Sequence, residues 1–72
     1  MSHMPHDPTS ILASEPEAEQ RLEAWCLEEG LKNPTISYIS RAGNQWLYTI
    51  NEDRPDQVFD VAVDVTGEVK RR

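Results

Sequence analysis

The chain of 72 residues is 38% apolar and 28% charged, and seven Lys and Arg against thirteen Asp and Glu leave a net charge of -6. That length holds one small domain with a thin core, since such a chain buries only about 60% of its unfolded surface. The surplus of acid argues against nucleic acid as a partner, which is bound by surplus Lys and Arg, and no apolar stretch approaches the roughly 20 residues of a membrane span. The charge is also uneven. Residues 1–30 carry seven acids against Arg21 alone, whereas residues 31–72 carry six acids and six bases.

No basic region followed by an apolar run marks a signal peptide, and the single cysteine allows no internal disulfide. A cytoplasmic protein is the expectation. Ser2, His3 and Met4 read as the remnant of a cleaved purification tag, with the natural start expected at Met4. Residues 1–13, interrupted by Pro5 and Pro8, are expected to form a disordered tail in which Ile11 and Leu12 are the only large aliphatic side chains. The domain is expected over residues 14–72.

A helix is predicted from Ser14 to Gly30. Ser14 suits the N-cap, Glu17 can close a capping box, and Pro16 falls in the first turn, where a missing N–H costs nothing. Ala18, Leu22, Trp25 and Cys26 make one apolar stripe, with Leu27 off its centre. Gly30 supplies the stop, with Leu31 able to fold back.

The period then changes from 3.6 to 2. Thr35 to Arg41 reads as a strand with Ile36 and Tyr38 on one face and Ile39 on the other. A turn at Ala42, Gly43 and Asn44 leads into a second strand, Gln45 to Asn51, where Trp46, Tyr48 and Ile50 alternate with Gln45, Leu47 and Thr49. A polar loop around Pro55 follows. In the third strand Phe59, Val61, Val63 and Val65 form a dry face, and Asp60, Ala62, Asp64 and Thr66 a wet one. Gly67 marks a turn, and Val69 begins a short fourth strand. The predicted class is α+β, one N-terminal helix packed on a three- to four-stranded antiparallel sheet.

Catalytic groups are scarce. His3 and His6 lie in the tail, where neither a metal site nor a general base has fixed geometry. Cys26 sits on the apolar helix face among glutamates that oppose a thiolate, so it reads as core. Asp53, Asp56, Asp60 and Asp64 lack the spacing of a calcium loop, and Asp60 and Asp64 stand about 13 Å apart along a strand. No catalytic, metal or cofactor site is predicted. The candidate binding residues are Tyr38, Ile39 and Leu47, if the sheet exposes them, and Glu15, Glu19 and Glu23 on an acidic helix face that continues to Glu29. Unpaired sheet edges offer a further contact surface.

Tyr48 and Ile50, then Phe59, Val61, Val63, Asp64, Thr66, Gly67, Glu68 and Val69, follow a pattern that resembles the end of PepSY-type domains. With the preceding amphipathic helix, the likeness spans residues 15–69. The resemblance implies a helix-plus-sheet fold and an inhibitory or regulatory binding role. That family is usually exported or membrane-associated and often accompanies proteases, whereas this chain shows neither a secretion signal nor an attached enzyme domain.

The expectation that follows is a small noncatalytic protein-binding or regulatory domain. It would act through the open sheet face, a sheet edge or the acidic helix, toward a protein partner or another copy of itself. A homodimer pairing its sheets across Tyr38 and Leu47 is the structural alternative. An enzyme would need a site shared between subunits from groups such as Tyr38, Arg41 and Asp60.

Overall fold

Chain order is helix first, then a four-stranded meander, in a computed structural model that describes residues 11–72. The helix α1 spans Glu15–Glu28, and β1 (Ile36–Ala42), β2 (Gln45–Ile50), β3 (Phe59–Asp64) and β4 (Val69–Arg71) follow. The strands lie in the order β1-β2-β3-β4, every pair antiparallel. The fold is therefore α+β, with one helix on one face of the sheet and β1 and β4 as its edges. The expectations for His3 and His6, and for most of the tail, fall outside the described residues.

One residue of the expected tail is tied to the domain. Leu12 donates its backbone N–H to the Val65 carbonyl at 2.7 Å and packs on the core, ahead of the Ser14 boundary. The capping also differs from the sequence reading. Ser14 is the N-cap with extended backbone, but its hydroxyl makes no capping bond. Glu17 instead reaches back to the N–H of Ala13, one residue earlier, while the Ser14 carbonyl accepts from Ala18. The capping chain is thus displaced by one residue at the place where Leu12 pins the approach.

The other end of α1 follows the glycine rule. Gly30 adopts φ +77°, its N–H reaches the Leu27 carbonyl at 3.1 Å, and the Leu31 N–H reaches the Cys26 carbonyl at 3.0 Å. These paired bonds satisfy the last carbonyls of the helix and turn Leu31 back onto the core.

Buried Ala18, Leu22 and Cys26 repeat every four residues and cover Trp46, Tyr48, Ile50, Val61 and Val63. Register explains why those side chains share a face. Trp46 stands opposite Val63, Tyr48 opposite Val61, and Ile50 opposite Phe59. Burying such side chains contributes about 1.5–3 kcal/mol each, the main favourable term in a domain this small.

On the opposite, open face, Leu47 pairs with Ala62 and Ala62 with Lys70. Ala62, expected on the wet side, is buried between these longer neighbours. Around it the face is polar, and the Thr49 hydroxyl donates to Asp60 Oδ1 at 3.0 Å. The third strand ends at Asp64, two residues short of its predicted end. There Asp64 Oδ1 accepts from the Thr66 N–H and its carbonyl from Gly67, which bends the chain out of the ladder.

Two side chains just beyond β2 act in ways the sequence did not announce. Asn51, expected to end β2, leaves the strand with φ +60° and is buried. Its Oδ1 accepts from the Thr35 N–H and from Arg54 Nη1, both at 3.3 Å. Arg54 also donates to the carbonyls of Lys32 and Asn33. One guanidinium therefore ties the β2–β3 loop to the segment that enters β1.

Candidate functional site

The two flanks of α1 differ by one step of the helix. Residues preceding the buried stripe include Arg21 and Trp25, and both are engaged over the β3–β4 side. Arg21 Nε donates to the Gly67 carbonyl at 2.8 Å. Trp25 meets Phe59 edge-on with centroids 6.4 Å apart, and the Arg71 guanidinium lies 4.1 Å over the Phe59 ring. That flank is closed.

Residues following the buried stripe are Glu15, Glu19, Glu23 and Leu27, and they look toward β1. Between α1 and β1 runs a shallow groove of about 250 Å³, lined by Glu23, Cys26, Leu27, Pro34 and Ile36. Leu27 is 78% exposed on its wall. Farther along, the Tyr38 ring lies 5.5 Å from that of Tyr48 and is 47% exposed. A single helix about 10 Å wide cannot cover four strands spaced roughly 4.8 Å apart. Because α1 packs chiefly on β3, the uncovered strip falls at β1.

The glutamates at the tyrosine end form a chain. Tyr48 donates its hydroxyl to Glu15 Oε2 at 2.9 Å, a buried ring reaching the helix flank. Burial, then the Glu15 bond and the charges of Glu15, Glu19 and Tyr38, push the Tyr48 hydroxyl well above its ordinary value. Partial burial, then the hydrogen bond and charge of Glu15 and the charge of Glu23, raise the Glu19 carboxyl. Burial and then Glu23 raise the Cys26 thiol, which places Cys26 as a packing residue rather than a nucleophile.

The candidate residues thus divide. Glu23 lines the groove, while Glu15 and Tyr38 both meet Tyr48 farther along that side of α1, with Glu19 between them on the helix. Leu47 lies on the open face, separated from them by the thickness of the sheet. Ile39, expected simply to face away from Tyr38, is the extra residue of a bulge. Tyr38 pairs with Tyr48 and Ser40 with Leu47, so Ile39 has no partner in the ladder and is exposed. Leu27, Pro34 and Ile36 were missed as site residues. Leu27 carried a usable signal, standing one residue past Cys26 and four past Glu23.

Tyr38, Arg41 and Asp60 do not converge within the chain. Tyr38 and Arg41 share the helix face, where Arg41 lies 4.4 Å over the Trp46 ring, while Asp60 is on the open face. Among the described residues, no group of three or more His, Cys, Asp or Glu side chains is arranged to hold a metal ion, and no helix is long and apolar enough to cross a membrane. The chain matches no protein-family model, no curated protein and no solved structure.

Proposed function

We propose that the protein is a noncatalytic protein-binding domain whose contact surface is the groove between α1 and β1. The observation that carries this reading is an apolar groove with Leu27 exposed on its wall and Tyr38 exposed farther along, while Ile11, Ile39 and Val58 are exposed elsewhere. Leu27, Tyr38 and the floor at Pro34 and Ile36 lie along one side of the molecule, beside an edge strand. Surface of that kind, rimmed by charge, is what protein interfaces use.

The open sheet face supports binding less well. Its centre is Leu47 and the already buried Ala62, and its surroundings are Ser40, Gln45, Thr49, Asp60, Asp64 and Lys70. Strand-on-strand pairing is also resisted at both edges. The β1 bulge breaks the ladder, and β4 is only three residues long and basic, the devices that blunt sheet edges. Two copies meeting through the groove would set Glu19 and Glu23 against their counterparts. These features favour a different protein as partner, in keeping with the regulatory binding role that the PepSY resemblance implies.

Site-specific photocrosslinking tests the reading. A photoreactive residue at Leu27 or Tyr38 should capture one discrete partner in cell extract, whereas the same group at Thr49 should capture none. Capture from Thr49 with silence at both groove positions would overturn it.

A further inference from the structure

The groove carries its own account of what it accepts, and the following rests on the binding reading above. We infer that its ligand is a basic linear segment of another protein, with one apolar anchor followed by regularly spaced Lys or Arg. The anchor site is the pocket of Cys26, Leu27, Pro34 and Ile36, apolar except where Glu23 borders it. From that border Glu23, Glu19 and Glu15 continue along the helix at steps of about 6 Å, four residues at a rise of 1.5 Å.

An extended segment repeats its side chains on one side every 6.6–6.8 Å or so. Lys or Arg at every second position beyond the anchor would therefore meet the three glutamates in turn. Lysine stems would also cover Tyr38 while their charged ends reach the carboxylates. The electrostatics run one way. Four residues apart on one helix flank, Glu15, Glu19 and Glu23 set like charges side by side, which a cation relieves; partial burial, then the hydrogen bond and charge of Glu15 and the charge of Glu23, raise the Glu19 carboxyl. The bases of the closed flank are engaged elsewhere, Arg21 on Gly67 and Arg71 over Phe59. Arg41, on the far side of the bulge, stacks on Trp46. Among the described residues, Lys and Arg are absent from the row Glu15, Glu19 and Glu23, so an acidic segment would find no cation there.

The test is titration of the isotope-labelled full chain with capped synthetic peptides, followed by backbone amide shifts. The first probe has a leading leucine and lysine at every second position. The second replaces the lysines with glutamate, and the third replaces the leucine with serine. The lysine probe should shift the amides of Glu19, Glu23, Leu27, Ile36 and Tyr38. The serine version should bind several-fold more weakly, and the glutamate version should leave the spectrum unchanged. Glu19→Gln with Glu23→Gln, conservative changes at a half-buried and an exposed position, should weaken the lysine probe about fivefold, as expected from losing two surface ion pairs.

Equal binding of the lysine and glutamate probes in the groove would overturn the basic ligand and leave the binding surface standing. Shifts of the lysine probe confined to Leu47, Thr49 and Ala62 would overturn both. So would a groove that answers none of the three probes.

Discussion

One flank of α1 is finished and the other is not, although both arise from the same helix. On the β4 side, Arg21, Trp25, Phe59 and Arg71 interlock, and Leu12 adds a backbone bond to Val65 just beyond. On the β1 side, Leu27 stands exposed on the wall of a groove bordered by Glu23, and Tyr38 is half-exposed farther along. A chain with so little core has few large apolar side chains to leave uncovered. The asymmetry teaches that packing is completed on one flank of the helix and left open on the other.

The sharpest contrast comes from truncating an aromatic on each flank. Phe59→Ala removes a ring held between Trp25 and Arg71 and should cost about 3 kcal/mol in urea unfolding. Tyr38→Ala should cost about 1 kcal/mol or less, because the ring is half-exposed and packs on Tyr48 at an edge strand. Equal costs would erase the distinction. Next in size is Arg54→Ala, which withdraws donors from Lys32, Asn33 and buried Asn51 and should cost about 1–2 kcal/mol. It should also loosen the entry to β1, read as faster amide exchange at Thr35 and Ile36.

Tyr48→Phe should cost about 1 kcal/mol by leaving Glu15 without its donor. The same residue sets a pH response. Its proton is held more tightly in the fold than in the unfolded chain, so the stabilisation is complete below about pH 10, the ordinary tyrosine value. Above that the unfolded chain sheds its proton first, and stability falls as pH rises. Cys26, raised in the same direction, adds to the alkaline decline. Tyr48→Phe should therefore show a shallower loss of stability above about pH 10 than the parent chain. An unchanged slope would remove Tyr48 from this account. The smallest effect is expected from Leu27→Gln, a good helix former at an exposed site, whose Tm should stay within the shift of about 0.5 kcal/mol.

The architecture was legible because local signals agreed with one another. Ala18, Leu22 and Cys26 wrote the helix stripe, and the alternation from Trp46 to Ile50 and from Phe59 to Val63 wrote the two central strands. Gly30 and Gly43 fell where the backbone takes positive φ. What could not be read was lateral. Glu15, Glu19 and Glu23 looked like the wet side of a helix, and only the offset of α1 toward β3 turns them to face β1. The bulge at Ile39 likewise depends on which residues β2 offers across the ladder, a register no single strand encodes. Arg54 joins segments about twenty residues apart, and no local pattern announces such a tie.

The claim that the β1 flank is the binding surface is tested most directly by one paired titration with the lysine probe. Leu27→Gln combined with Tyr38→Thr removes the groove's exposed apolar wall, and Leu47→Thr removes the apolar centre of the open face. The account predicts that the groove variant loses about tenfold in affinity, a change of about 1.4 kcal/mol, with Tm lowered by no more than about 8 °C, while Leu47→Thr binds like the parent. Loss of binding in Leu47→Thr with retention in the groove variant would contradict it.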